Sequence, residues 1–352
     1  MAINTKNITA QSLGIDVSMK TLDCCFCYQM PDRHVVVKGS RKFNNNASGF
    51  EGLCKWLKKW LLQDTDLVIA FEATGVYYEH LAYYLSDKTN YKVCVLLPNT
   101  VKAFAKSLNA KSKNDKVDAM IIARMAVERK LHVWKAPCAA SRLLKELCRE
   151  RETLLRDKTA ISNRLHAKDY SYNTDASLTK RLKKQHKLIT GLIKEVEKQI
   201  QKVIKQTPQL AKNINRLMDI PGIALFTAIA VLSETNHFAL FRSKRQLVSY
   251  AGLDVVENQS GSSVRGKTHI SKKGNSLLRK CLYFPAIVHV NQKSIYYDTF
   301  FNILQRTSCK MKAYVAIQRK LLVLMYSLVK NQTTFNPNYH KSPSTSMQNI
   351  TI

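Results

Sequence analysis

Residues 141–205 constrain the fold more than any other stretch. The run is dense in charge, has no proline, and contains one glycine, Gly191. Leu143, Leu144, Leu147, Leu154, Leu155, Ile161 and Leu165 recur about every 3.5 residues. After a polar break at 169–177 (DYSYNTDAS), a second stripe follows through Leu182, Leu188, Ile189, Leu192, Ile193, Val196, Ile200 and Val203. This spacing predicts two long helices folded as a hairpin. An antiparallel coiled coil and a plain bundle with a solvated charged face account for it equally well. Either is an arm or an association seam rather than a catalytic unit. It divides the chain into residues 1–135, an arm at 136–207, a third region at 208–330 and a polar tail, 331–352, without apolar period, read as disordered.

Residues 1–135 read as mixed α/β. Strands are predicted at 12–18 (SLGIDVS), 22–28 (LDCCFCY) and 34–38 (HVVVK), the first two joined by a tight turn at Met19–Lys20. An amphipathic helix at 47–62, a buried strand at 66–72 and a helix at 76–86 follow. A strand at 92–97 and helices at 99–108 and 115–130 complete the region. The order β-β-β-α-β-α-β-α-α fits a mixed sheet with helices on its faces. Residues 208–330 read as helical: 209–218, 224–234 after a hairpin turn at 219–223 (DIPGI), 243–251, 276–290, 295–306 and 309–330, with a polar Gly/Ser-rich stretch at 254–275.

The charge balance narrows the function. Lys plus Arg number 56 against 25 Asp plus Glu, a formal net charge of +31. The excess is distributed, about +8, +11 and +12 over residues 1–135, 136–218 and 219–352, so no single tail carries it. Such a surface favours polyanions, above all nucleic acid, and argues against a small-molecule enzyme. Nine cysteines at irregular spacing make no disulfide framework. The C-x-x-C of Cys24 and Cys27 lies in an apolar run with no second ligand pair at zinc spacing, and reads as buried strand thiols. A reducing cytoplasm is expected. No apolar run is long enough for a membrane span, and the N-terminal residues lack a signal-peptide core.

Four carboxylates stand out. Asp16 is the one charge inside an apolar strand, and Glu72 ends another. An unpaired carboxylate there costs several kcal/mol. Asp115 and Asp118 fall three apart at a helix start, on one face. If the first and fourth strands are neighbours, their ends meet that helix. Four converging carboxylates repel unless a hard cation, Mg²⁺ or Mn²⁺, lies between them, and such a site serves phosphoryl transfer on nucleic acid. Each also has a local explanation: Asp115 as a helix cap, Glu72 as the partner of a lysine.

In the third region Pro221-Gly222 forms the turn of a helix-hairpin-helix-like element, which would offer backbone N–H groups to a phosphate, or else simply packs. Ser260, Ser262 and Ser263 precede Arg265, Lys267, His269, Lys272, Lys273 and Arg279, with no acid between Glu257 and Arg279. This is a phosphate-binding surface. A serine within it gains nucleophilicity from the surrounding cations; a solvated basic loop with capping serines is the competing reading, and spacing leaves both open.

The segments LGIDVS, FEATGVYYEHL, NAKSKNDKVDA, DIPGIALFTAIAVLSE, SYAGL and QSGSSVRGKTHISKKGNSLLRK together resemble the one-ten insertion-sequence transposases and the related Piv-type DNA invertases, over residues 10–330. The resemblance implies a RuvC-like, ribonuclease-H-type first domain whose DEDD metal tetrad falls on Asp16, Glu72, Asp115 and Asp118. It implies a second domain whose QSG serine, here Ser260 with Ser262 and Ser263 nearby, becomes covalently joined to DNA. It further implies dimers pairing into tetramers through the arm, and guidance by a structured bridge RNA that pairs with donor and target. The expectation is a cytoplasmic, nucleoid-associated site-specific recombinase of a mobile element, using Mg²⁺. Pro221, Gly222, Arg265, Lys267, Lys272, Lys273 and Arg279 would hold the nucleic-acid backbone. No ATP-binding G-x-x-x-x-G-K-[ST] is present, consistent with a bond conserved in a phosphoserine. The alternatives are a metal-dependent Holliday-junction resolvase-like nuclease without a covalent intermediate, and a nucleic-acid scaffold with structural carboxylates.

Overall fold

A computed structural model of the chain describes residues 8–73, 75–110, 114–172, 174–239, 241–257, 259–260, 264–266 and 268–338; the side chains of Ser260, Val264 and Arg265 lie outside that description. The chain divides into two units, Met1–Ala136 and Pro137–Ile352.

The first unit comprises β1 (Ala10–Val17), β2 (Thr21–Gln29), β3 (Val35–Asn44), α1 (Ala47–Leu57), β4 (Leu67–Glu72), α2 (Glu79–Lys88), β5 (Lys92–Leu96), α3 (Pro98–Ser107) and α4 (Asp115–Glu128). The expected element order is the observed one. The five strands form one mixed sheet in the order β3-β2-β1-β4-β5. β1 pairs antiparallel with β2 and parallel with β4, making the strands of Asp16 and Glu72 neighbours. β3 is longer than predicted because its polar half, SRKFN, pairs with the start of β2 while burying only Phe43. A solvated edge strand leaves little apolar pattern to read. α1 stops at Leu57 rather than 62, and its Phe50, Leu53, Trp56 and Leu57 face the core as the spacing required. Cys24, Cys25 and Cys27 are buried in β2. Cys24 and Cys27, three apart on a strand, project to opposite faces.

One residue fixes how α4 lies on the sheet. A Cβ on Gly14 would meet the Ala119 carbonyl oxygen and the Ala123 nitrogen, each at 2.2 Å, so only glycine lets the helix backbone rest on β1. The buried Ser12 hydroxyl donates to the Ala123 carbonyl at 2.8 Å and locks the same contact. Four helix residues rise about 6 Å and two strand residues about 6.6 Å. With Ala123 beside Ser12 and Ala119 beside Gly14, the next turn, at Asp115, comes level with Asp16.

The second unit opens with α5 (Ala139–Asp169) and α6 (Ala176–Gln206), 31 residues each, packed along one another. Leu144, Leu147, Val196, Ile200 and Val203 at their root join the core of the unit, whereas Leu178 and Leu188 are exposed. α7 (Pro208–Met218), α8 (Leu225–Glu234) and α9 (Lys244–Tyr250) follow. The polar Gly/Ser-rich stretch at 254–275 holds two small antiparallel pairs: β6 (Val255–Val256) with β9 (His269–Ile270), and between them β7 (Gln259–Ser260) with β8 (Val264–Arg265). The helix predicted over 276–290 is two, α10 (Ser276–Cys281) and α11 (Tyr283–Asn291). Pro285 cannot donate to the Cys281 carbonyl, and the chain breaks at Leu282. α12 (Tyr297–Thr307) and α13 (Lys310–Asn331) complete the unit. The disordered tail expected at 331–352 falls largely, from residue 339 on, outside the described residues. Among the described residues no helix is long and apolar enough to cross a membrane.

Candidate active site

The carboxylates of the first unit gather at one edge of the sheet. Asp16 lies next to the end of β1, Glu72 ends the parallel neighbour β4, and Asp115 and Asp118 occupy the first turn of α4. The cap of α4 is Asn114, whose side chain accepts from the Val117 N–H at 2.9 Å. Asp115 is therefore not consumed by capping, the local explanation weighed for it from sequence. Asp16 is half-buried. Burial first, then the charges of Asp118, Asp115, Glu72 and Asp23, push its carboxyl from the ordinary 3.8 up to about 6. All three predicted companions thus act on Asp16 electrostatically. Among the described residues no three carboxylates close tightly enough around one point to hold a metal ion as the side chains lie. The groups are close enough to repel and not drawn together.

Asp23 is the member sequence reading missed. It is buried in β2, directly across from Asp16 in the antiparallel register. Its neighbour on the other side is Lys42 of β3, whose ammonium sits 3.0 Å from the Asp23 carboxylate and 3.9 Å from that of Asp115. Lys42 is half-exposed, and Asp23 beside it holds its ammonium above the ordinary range. The signal was present: a hairpin turning at Met19–Lys20 pairs residue 16 with residue 23.

In the second unit Ser260 belongs to β7, opposite Val264, with Gln259 opposite Arg265. Ser262, Ser263 and Lys267 lie outside the described residues. Lys272 and Lys273 are exposed. Arg279 is turned inward: its guanidinium donates to the Ala251 carbonyl at 2.9 Å and the Gly274 carbonyl at 3.4 Å. It ties the base of the basic stretch to the end of α9. The Pro221-Gly222 turn is closed by Ile223 N–H donating to the Ile220 carbonyl at 3.0 Å, with Gly222 at φ +79°. Proline and a left-handed glycine at the two central positions make a type II turn. It is half-buried, and a Cβ on Gly222 would strike Val288 of α11 at 2.9 Å.

A buried hub went unread in the sequence. Glu234, at the end of α8 and fully buried, accepts from Arg149 of α5 at 2.6 and 2.9 Å and from the Asn275 amide at 2.7 Å. Asn275 also caps α10, accepting from the Leu277 and Leu278 N–H groups. The arm and the end of the basic stretch are thereby pinned to one carboxylate.

Sequence comparison places two family models along the chain, the first running past the boundary of the units into α5. A model described as a transposase, of the DEDD type named for IS110, matches residues 13–168, and the model for the transposase IS116/IS110/IS902 family matches residues 214–300. The chain belongs to the IS110 family of transposases and is a DNA recombinase of that class. Its relatives include a pilin gene-inverting protein of Moraxella bovis, 29% identical over 94% of this chain and 98% of that one. The IS1111A transposase of Coxiella burnetii is 24% identical over 68% of this chain and 72% of that one. Among solved structures, Thermus thermophilus RuvC in complex with a Holliday junction substrate aligns with 32% of this chain and 90% of its own, at 12% identity and a TM-score of 0.25.

Proposed function

We propose that the chain cuts and rejoins DNA through a covalent bond to Ser260, with a divalent cation held by Asp16, Glu72, Asp115 and Asp118 of a RuvC-like first unit. The observation that carries the reading is Asp16: a half-buried carboxylate made costly by burial and by four neighbouring carboxylates. A hard cation turns that repulsion into attraction, and the all-oxygen donor set suits Mg²⁺ or Mn²⁺. The bound cation would offset negative charge at the reacting phosphate.

Ser260 supplies the nucleophile. Its oxygen bonds to phosphorus as the bridging P–O bond to one strand breaks, and its proton passes in net to the departing strand oxygen. The reverse step, with a hydroxyl of another strand attacking the phosphoserine, seals the new joint and needs no ATP. Lys272 and Lys273, exposed beside this loop, together with Arg265 and Lys267, hold backbone phosphates. The serine and the carboxylates belong to different units. A site completed between protomers of a dimer or tetramer makes cutting wait for assembly. Sequence choice rests with a structured guide RNA from the element's flank, leaving the protein to read backbone and shape, for which a distributed charge of +31 is suited.

The test is a trapping experiment. The full chain is incubated with Mg²⁺, labelled DNA carrying the element's junction and RNA transcribed from its flanks, then denatured. A protein band bearing label, absent in Ser260→Ala and in Asp16→Asn, is the expected result. Free cut ends without such a band would point instead to hydrolysis of the Holliday-junction resolvase type.

A further inference from the structure

The second unit contains a long groove of about 1750 Å³, bounded by α9, the β6–β9 pair, α12 and α13 and by the residues that follow α13. That exceeds the roughly 300–1,000 Å³ of a small-molecule pocket and suits an extended chain. Its floor is apolar: Val248, Leu253, Val315, Val323, Leu324 and Phe335 line it. α13 explains how. One stripe of the helix, Ala313, Ile317, Leu321 and Met325, is buried in the core, and a second stripe at the same spacing, through Val315, Arg319 and Val323, faces the groove. Gln332, in the left-handed region at φ +57°, turns the chain back after α13 and brings Phe335 onto the wall.

The rim is cationic. Lys244 and Arg245 stand on α9, Lys272 follows β9, and Arg306 stands on α12. Lys312, Arg319 and Lys320 come from α13, the last with its ammonium 5.5 Å from the Tyr296 ring centroid. Among the described residues no Asp or Glu lines the groove, and none of these seven cations is in an ion pair. Seven uncompensated positive charges around an apolar floor match a polyanion whose apolar groups are free to be buried. An unpaired strand offers that combination; a duplex keeps its base faces stacked inside.

The groove also adjoins the serine segment. β6 and β9 form the stem of the loop that carries β7 and Ser260, and Val255, His269 and Ile270 of that stem line the groove. We propose that this groove holds an unpaired DNA strand, phosphates on the α9, α12 and α13 cations and bases on the apolar floor, leading it to or from the serine loop. The proposal deepens the recombinase reading and rests on it for the choice of DNA.

The test measures binding of the full chain to a fluorescent oligothymidylate of about 20 nucleotides, against an abasic strand, a duplex and an RNA strand of the same length. Arg306→Gln, Lys312→Gln and Arg319→Gln, all exposed positions, are combined in one variant. A control combines Lys183→Gln, Lys184→Gln and Lys187→Gln on the exposed face of α6. The groove variant is expected to lose at least tenfold in affinity for the single DNA strand, and its log–log salt slope to fall by about 2, three contacts at about 0.7 each. The control is expected to keep both within twofold. The abasic strand is expected to bind the parent at least tenfold more weakly than oligothymidylate. Equal losses in the two variants, equal binding of the abasic strand, or tighter binding of duplex or RNA would each overturn the proposal. A serine adduct formed by a chain whose groove fails these tests would sink the groove and leave the function standing; a groove that passes in a chain forming no adduct would do the reverse.

Discussion

Replacing Asp16 by asparagine should stabilise the metal-free protein. The carboxyl titrates at about 6 in the fold against an ordinary 3.8. About two pKa units correspond to at most about 3 kcal/mol, and solvent screening at a half-buried position reduces this to about 1–2. The sign follows from proton counting. Between pH 3.8 and about 6 the folded state keeps a proton that the unfolded state has lost, so stability falls as pH rises through that window and the full penalty stands above it. Asp16→Asn keeps the shape and removes the charge. At pH 7.5 without divalent cations its first unit should melt about 3–6 °C above the parent, and the gain should vanish near pH 4. All three tryptophans, Trp56, Trp60 and Trp134, lie in that unit, so intrinsic fluorescence reports its melting alone. Added Mg²⁺ should raise the parent's transition, by about 1.4 kcal/mol at ten times the dissociation constant, and leave the variant unmoved. A variant melting below the parent without metal would refute the reasoning, because Asp16 would then be held by favourable contacts.

Other substitutions probe the supports of the site. Gly14→Ala forces α4 off β1, where a Cβ has backbone atoms at 2.2 Å, and should cost about 3 kcal/mol or more and abolish recombination, read by urea unfolding and a joining assay. Arg149→Ala leaves the buried Glu234 carboxylate short of its cation and should cost about 2–3 kcal/mol, below the loss for a fully buried pair because the guanidinium is half-exposed. Glu152→Ala, which breaks the Lys280 pair, should cost under about 1 kcal/mol in the same unfolding series. His289, fully buried against the Pro221 turn and Tyr296, is pushed down by burial to about 4. The unfolded chain gains a proton near 6.5 that the fold refuses, so the second unit should lose stability as pH falls from 6.5 to 4. His289→Leu should flatten that limb in circular-dichroism melts.

Sequence carried most of the first unit because strands and helices there alternate with clear periods. The lone charge of Asp16 in an apolar strand and the i,i+3 pair of Asp115 and Asp118 needed no structure to be noticed. Asp23 escaped because it sits among cysteines in a strand without alternation, and only the hairpin register sets it against Asp16. Lys42 escaped with it, since the apolar pattern of that strand ends at Lys38, six residues before β3 does. In the second unit the long helices were legible from their stripes, but the Glu234 hub was not. Arg149, Glu234 and Asn275 are separated by 85 and 41 residues in the chain, and no local pattern links them. The groove was invisible for a similar reason: its cations come from four separate segments, and only the folding of α9, α12 and α13 around one apolar floor turns scattered lysines and arginines into a surface.

The two charged regions should answer oppositely to Mg²⁺. Four carboxylates surround Asp16, so a phosphate approaching it meets repulsion until a cation is bound. The groove, with seven cations and no acid among its described lining, meets a phosphate with attraction at once. Raising Mg²⁺ screens and competes at the groove, weakening strand binding there, while it creates affinity at the carboxylates. A DNA strand should therefore bind the groove first and engage the carboxylates only when the cation is in place, which orders loading before cutting. Titrating Mg²⁺ at constant ionic strength distinguishes this from a single site. Oligothymidylate affinity of Asp16→Asn should fall steadily with Mg²⁺, whereas that of the groove variant Arg306→Gln/Lys312→Gln/Arg319→Gln should rise. Parallel curves for the two variants would show that one surface serves both roles and would remove the basis for the ordering.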